Sequence, residues 1–178
     1  MRISGKLLIC IAGGLAMLSA PAAAAQQAFS TGPVIENFGP VADIPGAQVL
    51  SPDTRLRVAF DTAMPAENGE LNRTLVSAAR FLNMHARAGL DLENIDLAIV
   101  VHGRAVLDVA DVEGGQSGLN AALVEALTGH EVEIFVCGQS AAHYGVAAES
   151  LLPGVTMSLS AMTAHALLQE DGYTLNPF

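Results

Sequence analysis

In the stretch "IFVCGQSAAHYG" (residues 134–145), Cys137 ends an apolar run and precedes a helical one. A thiol reacts as its thiolate, and its pKa falls at a helix N-terminus or beside a cationic group. A helix starting near Ser140 would aim free backbone N–H groups at the sulfur. Gly138 takes side-chain bulk away beside it, which would let a substrate sulfur approach. His102 could exchange a proton with the thiol if the strands carrying the two residues are neighbours. Gly103, Gln139, Ser140, Asn68 and His143 complete the candidate site as groups that would hold a substrate.

A second reading of Cys137 stays open. Free cysteine is among the most buried residue types and often only fills space. Nearby carboxylates in an acidic chain would also raise the thiol pKa, with Arg104 the one basic side chain close enough in sequence to offset them. A Cys137/His102/His143 set would suit zinc or copper, but no C-x-x-C or H-x-x-x-H pair supports it. No cofactor or metal is expected. His85 and His130 read as surface residues, and His165, on the last helix, reads either way. Phosphate-loop, dinucleotide-binding and G-x-S-x-G patterns are missing, as is the dithiol pair of thioredoxin-type chemistry.

The elements that must position these residues alternate between strand and helix. "RLRVAFDTA" (55–63) alternates as a strand does, and "NIDLAIVVHG" (94–103) is a continuous apolar run of the kind covered on both faces. "EVEIFVCG" (131–138) and "GVTMSLS" (154–160) give a third and fourth strand. Helices are expected over 69–89, where Leu71, Leu75, Ala78, Ala79 and Leu82 recur at helical spacing, and over 117–129, closed by Gly129. A broken helical stretch (139–152) and a final helix (161–172) follow, then an extended tail, "YTLNPF". Residues 105–114 are ambiguous. This alternation predicts an α/β fold with a mainly parallel sheet and helices on both faces. Ligands of such sheets bind at the carboxyl ends of the strands. That edge gathers Asp61, Thr62, Asn68 and Asn72 after the first strand, His102-Gly103 after the second and Cys137 to Ser140 after the third, with Ser158 and Ser160 level with them.

Residues 1–25 have a short basic start, an apolar run from Leu7 to Leu18 and small residues up to Ala25. This is the layout of a cleaved secretory signal, and the run is shorter than the ~20 residues of a membrane span. A periplasmic protein is therefore expected, with no membrane attachment once the signal is removed. Cys10 leaves with it, so Cys137 has no intrachain partner, which points to a free thiol or to pairing between molecules. Residues 26–54, rich in proline and glycine, read as an extended arm anchored by Val34, Ile35, Phe38 and Val41. The whole chain has 8 Lys+Arg and 18 Asp+Glu. Losing Arg2 and Lys6 leaves 6 against 18, or −12. Such a balance disfavours nucleic acid, whose phosphates need basic partners.

Three segments in this order and spacing, "AIVVHGRAV", "IFVCGQSAAHYGV" and "LLPGVTMSLSAMTAHALLQEDGYTL", resemble the DsrE/DsrF-like proteins, in particular exported single-domain members. The resemblance runs from about Arg55 to Phe178. It implies a three-layer α/β/α fold with four or five strands and an assembly of three or six identical copies. In the sulfur-oxidation members of that family a cysteine at the Cys137 position carries sulfur as a persulfide and passes it between partner proteins. The resemblance thus implies a sulfur carrier whose partners are small sulfur species or a protein thiol, with His102-Gly103 beside the sulfur. A non-catalytic binding module of the same fold and a Cys/His metal-binding protein are the other readings.

Overall fold

The structure, a computed structural model, describes residues 27–176. The expected signal over residues 1–25, Cys10 within it and the last two residues of the tail lie outside the described residues. Five strands, β1 (Leu56–Thr62), β2 (Ile95–Val101), β3 (Glu133–Cys137), β4 (Val155–Ser158) and β5 (Thr174–Asn176), alternate with four helices, α1 (Arg73–Arg87), α2 (Ser117–Gly129), α3 (Gly138–Tyr144) and α4 (Ala161–Glu170). All strand pairs are parallel, and the sheet order is β4-β3-β2-β1-β5.

That order places the helices. Stepping from β1 to β4 in one direction with right-handed crossovers puts α1, α2 and α3 on one face; the return to β5 reverses direction and puts α4 on the other. The core divides accordingly. Phe60, Ile99, Val101, Ile134 and Val136 pack with Leu75, Ala78, Leu123 and Ala141 of α1–α3. On the opposite face Ala59, Ala98 and Val100 pack with Ala164 and Leu168 of α4 and with Tyr173. From Leu97 to Val101 every residue of β2 is buried, because it is the central strand with cover on both sides.

Several boundaries differ from the sequence reading for local reasons. Helix α1 starts at Arg73 rather than near Gly69, since the Asn72 side chain accepts from the N–H groups of Thr74 and Leu75 and so caps it. Gly129 lies inside α2; the chain leaves that helix through Glu131, held at a left-handed φ of 63°. Helix α3 begins at Gly138, directly after the strand, with Cys137 itself at the N-cap. The ambiguous segment, residues 105–114, starts within a 3-10 helix, Gly103–Asp108, and then bridges from Ala110 to Leu151. The tail is not merely extended: Thr174–Asn176 adds to β1 as a fifth, parallel strand.

The segment ahead of β1 lies against α1. The Asn83 side chain, fully buried, accepts from the N–H groups of Val34 and Ile35 and donates to the carbonyls of Ile35, Phe38 and Gly39. Arg87 donates to the carbonyls of Ser30, Thr31, Gly32 and Val41. Ile35 and Val41 are buried at this contact.

Candidate active site at the carboxyl edge of the sheet

Side chains alternate across a strand, so the residues two beyond Ala59, Val100 and Phe135 face α4 as those do. These residues are Asp61, His102 and Cys137. Register brings them to one level: Asp61 pairs with Val100, and Val101 with Val136, so that His102 and Cys137 follow side by side at the ends of β2 and β3. The His102 N–H donates to the Thr62 carbonyl at 2.8 Å and extends the ladder one residue past β2. On α4, His165 shares the stripe of Ala161, Ala164 and Leu168, spaced three and four apart, and so meets the sheet from above.

These four side chains line one cavity of about 330 Å³, together with Gln139, Ser160, Ala161 and Met162. Asp61 bridges the histidines: Oδ2 lies 3.0 Å from Nε2 of His102 and Oδ1 lies 2.7 Å from Nε2 of His165. Burial pushes the Asp61 carboxyl up, but the hydrogen bonds from His165 and His102 outweigh it and hold the group below its usual range. An ionised carboxylate only accepts, so both imidazoles carry a proton on Nε2 toward Asp61.

Cys137 is a free thiol with 6 % of its surface exposed. Burial pushes its pKa up. The Ser140 hydroxyl and the backbone N–H groups of Ser140, Ala161 and Gln139 favour the thiolate, outweigh that penalty and bring the thiol below its ordinary value. The donors come from the first turns of α3 and α4, where N–H groups have no partner within the helix. Ser140 is held in turn, since its hydroxyl oxygen accepts the Gly103 N–H at 2.9 Å. Gly103 sits at φ +53°, a conformation that favours glycine.

Other candidates fall differently. Gln139 lines the cavity and donates to the Leu159 carbonyl at 3.3 Å. A Cβ on Gly138 would stand 2.6 Å from the Ser158 carbonyl oxygen, so its missing side chain admits the β4–α4 linker rather than a substrate. Asn68 lies in a separate cavity of about 350 Å³ with Arg104, so neither reaches the thiol. His143 is exposed, its ring edge-on to Tyr144 at 4.7 Å, and does not line the Cys137 cavity. Asn72 is buried in a structural network with Asp108 and Asn120. Ser160 lines the cavity but spends its hydroxyl as the cap of α4. Among the described residues no group of three or more His, Cys, Asp or Glu has the arrangement to hold a metal ion. Sequence reasoning reaches Asp61 as an edge residue but misses its partner His165. The signal was that stripe of apolar residues on α4, into which a histidine is set.

The sequence pattern that defines the DsrE/DsrF-like family matches residues 57–177, which takes in the five strands except Leu56, and the cavity. The chain belongs to the DsrE/DsrF-like family. No curated protein matches it in sequence. Among solved structures, this DsrE/DsrF-like chain is similar to MTH1491, a protein of unknown function from Methanobacterium thermoautotrophicum, with 19 % identity and a TM-score of 0.52 over 70 % of this chain and 99 % of that one. That likeness agrees with the α/β architecture of a parallel sheet flanked by helices.

Proposed function

We propose that this DsrE/DsrF-like protein is a sulfur carrier of the cell envelope. Cys137 takes a sulfane sulfur as a persulfide and passes it to an acceptor thiol. The observation that carries this reading is the place of Cys137, in one cavity with His102 at the sheet edge where this fold class puts its chemistry, with the Ser140 hydroxyl and helix-start N–H groups lowering the thiol pKa. In the loading step the Cys137 sulfur attacks the outer sulfur of a hydropersulfide R–S–SH. One S–S bond forms, one breaks, and R–S⁻ leaves with the electron pair. Release repeats the exchange, with the acceptor thiolate attacking the outer sulfur held on Cys137. The donor is a small sulfur species or a persulfide on a partner protein. Export through a cleaved leader and assembly into three or six copies belong to the same proposal.

Intact-mass measurement after incubation with a hydropersulfide tests the chemistry. The expected result is a gain of one sulfur atom on the wild-type chain, absent from Cys137→Ser and reversed by an acceptor thiol. An equal gain on Cys137→Ser defeats the proposal. A mature N-terminus at Gln26 in the periplasmic fraction tests the location, and light scattering on the purified protein tests the assembly. The burial of Cys137 favours one other reading, a non-catalytic module that binds a small ligand in the same cavity. A thiol that resists alkylation in the folded protein would support it.

A further inference from the structure

Asp61 and His165 have no role in the carrier reading, yet they are built into the cavity beside Cys137. Each oxygen of Asp61 is committed to one imidazole, so the carboxylate is held from both sides and Oδ2 stays on His102. His165 is itself fixed by α4, whose Ala164 and Leu168 are buried on the sheet. Its other nitrogen, Nδ1, is a buried atom without a hydrogen-bond partner. A proton added there would meet no acceptor, whereas the His102 side chain is 32 % exposed and lines the cavity with Cys137. With both Nε2 protons turned toward Asp61, Nδ1 is the nitrogen of His102 left free to take and return a proton.

We propose that Asp61, His102 and His165 form a proton store for sulfur exchange at Cys137, in which His102 moves the proton and Asp61 and His165 are positioning residues. The Cys137 S–H gives its proton to Nδ1 of His102, and the imidazolium that forms has the Asp61 carboxylate as its counter-charge. The sulfur attacks a sulfane or disulfide sulfur, one S–S bond forms and one breaks, and the electron pair leaves on the departing thiolate. The imidazolium then returns its proton to that thiolate. For a hydropersulfide the balance is Cys137–SH plus R–S–SH, giving Cys137–S–SH and R–SH, with no external oxidant or reductant. The role rests on Cys137 exchanging sulfur, but it extends to any S–S bond and so is testable apart from persulfide loading.

Two reagents separate proton delivery from thiol exposure. Iodoacetamide expels iodide, which needs no proton; bis(2-hydroxyethyl) disulfide expels an alkyl thiolate, which does. General acid catalysis contributes roughly a hundredfold or more where it operates. The ratio of disulfide exchange to alkylation at neutral pH is therefore expected to fall by about tenfold or more in Asp61→Asn, and in the same direction in His165→Phe. His165→Gln, whose amide N–H can still donate to Asp61, retains most of the wild-type ratio. Equal slowing of both reagents, or an unchanged ratio in Asp61→Asn, overturns the proposal. Nitrogen-15 spectra of the wild-type histidines give a check that needs no variant to fold. Protons on Nε2 of both His102 and His165 are expected, and a proton on Nδ1 of neutral His102 overturns the assignment. A wild-type chain that accepts no persulfide but shows these results defeats the carrier reading alone.

Discussion

The hydroxyl of Ser140 accepts the backbone N–H of Gly103 at 2.9 Å and also favours the Cys137 thiolate, holding the thiol pKa below its ordinary value. One side chain thereby ties the end of β2 to the start of α3 and tunes the thiol between them.

Ser140→Ala removes a donor from the sulfur and leaves the Gly103 N–H unpaired. The midpoint of the pH profile for alkylation by iodoacetamide should rise toward that of an ordinary thiol, with slower reaction at neutral pH. Loss of the hydrogen bond should also cost about 1–2 kcal/mol in urea unfolding. An unshifted profile would show that the backbone donors alone set the thiol.

Gly138→Ala places a methyl group 2.6 Å from the Ser158 carbonyl oxygen and 3.1 Å from that of Leu159. Both contacts are backbone, so relief requires the β4–α4 linker to move. Overpacking of this kind costs about 1–3 kcal/mol, and the displacement withdraws the Ala161 N–H from the sulfur. Reduced stability accompanied by a raised alkylation midpoint is the expected pair of results. Either one alone would separate packing from tuning.

Asp61 makes an acid-side prediction. Its folded pKa lies below the ordinary carboxyl value of 3.8, so the folded state binds its proton less readily than the unfolded chain does. The resulting stability is fully present above the unfolded pKa and is lost as pH falls through the folded one. Urea midpoints of wild type and Asp61→Asn should therefore differ at neutral pH and converge below about pH 4. A constant gap down to acid pH would mean that Asp61 stabilises the fold in both protonation states.

Asn83→Ala strips five hydrogen bonds from the segment packed on α1. Unsatisfied buried backbone groups cost about 1–3 kcal/mol each. The expected loss exceeds 3 kcal/mol by that measure, and hydrogen exchange should rise first at Val34 and Ile35. Asn83→Asp should do no better, because a carboxylate cannot donate to the three carbonyls.

Much of this arrangement can be read from the chain, because its signals are local. The apolar run of β2, the alternation of β1 and the switch from strand to helix at Cys137 each declare themselves within ten residues. They bring Cys137 and His102 to one edge. What escapes is the pairing of Asp61 with His165, 104 positions apart. It depends on α4 crossing to the opposite face, and that follows from β5 joining the far side of β1. Three residues of strand, Thr174–Asn176, are too few to show a period. Asn68 and His143 illustrate the converse limit: closeness in sequence to an edge residue does not bring a side chain into the cavity once a turn has carried it away. Asn83 reads as one more polar residue on a helix until the segment it clamps is seen.

Ala161, Met162 and His165 of α4 line the cavity beside Cys137, and the first N–H of that helix, that of Ala161, also lowers the thiol pKa. Access and reactivity are therefore opposed in this molecule. Any outward swing of α4 that admits a bulkier reactant takes away a group that lowers the thiol pKa, and it pulls His165 off Asp61 in the same stroke. Selection by size needs no gate of its own here, since a reactant too large for the closed cavity meets a blunter nucleophile.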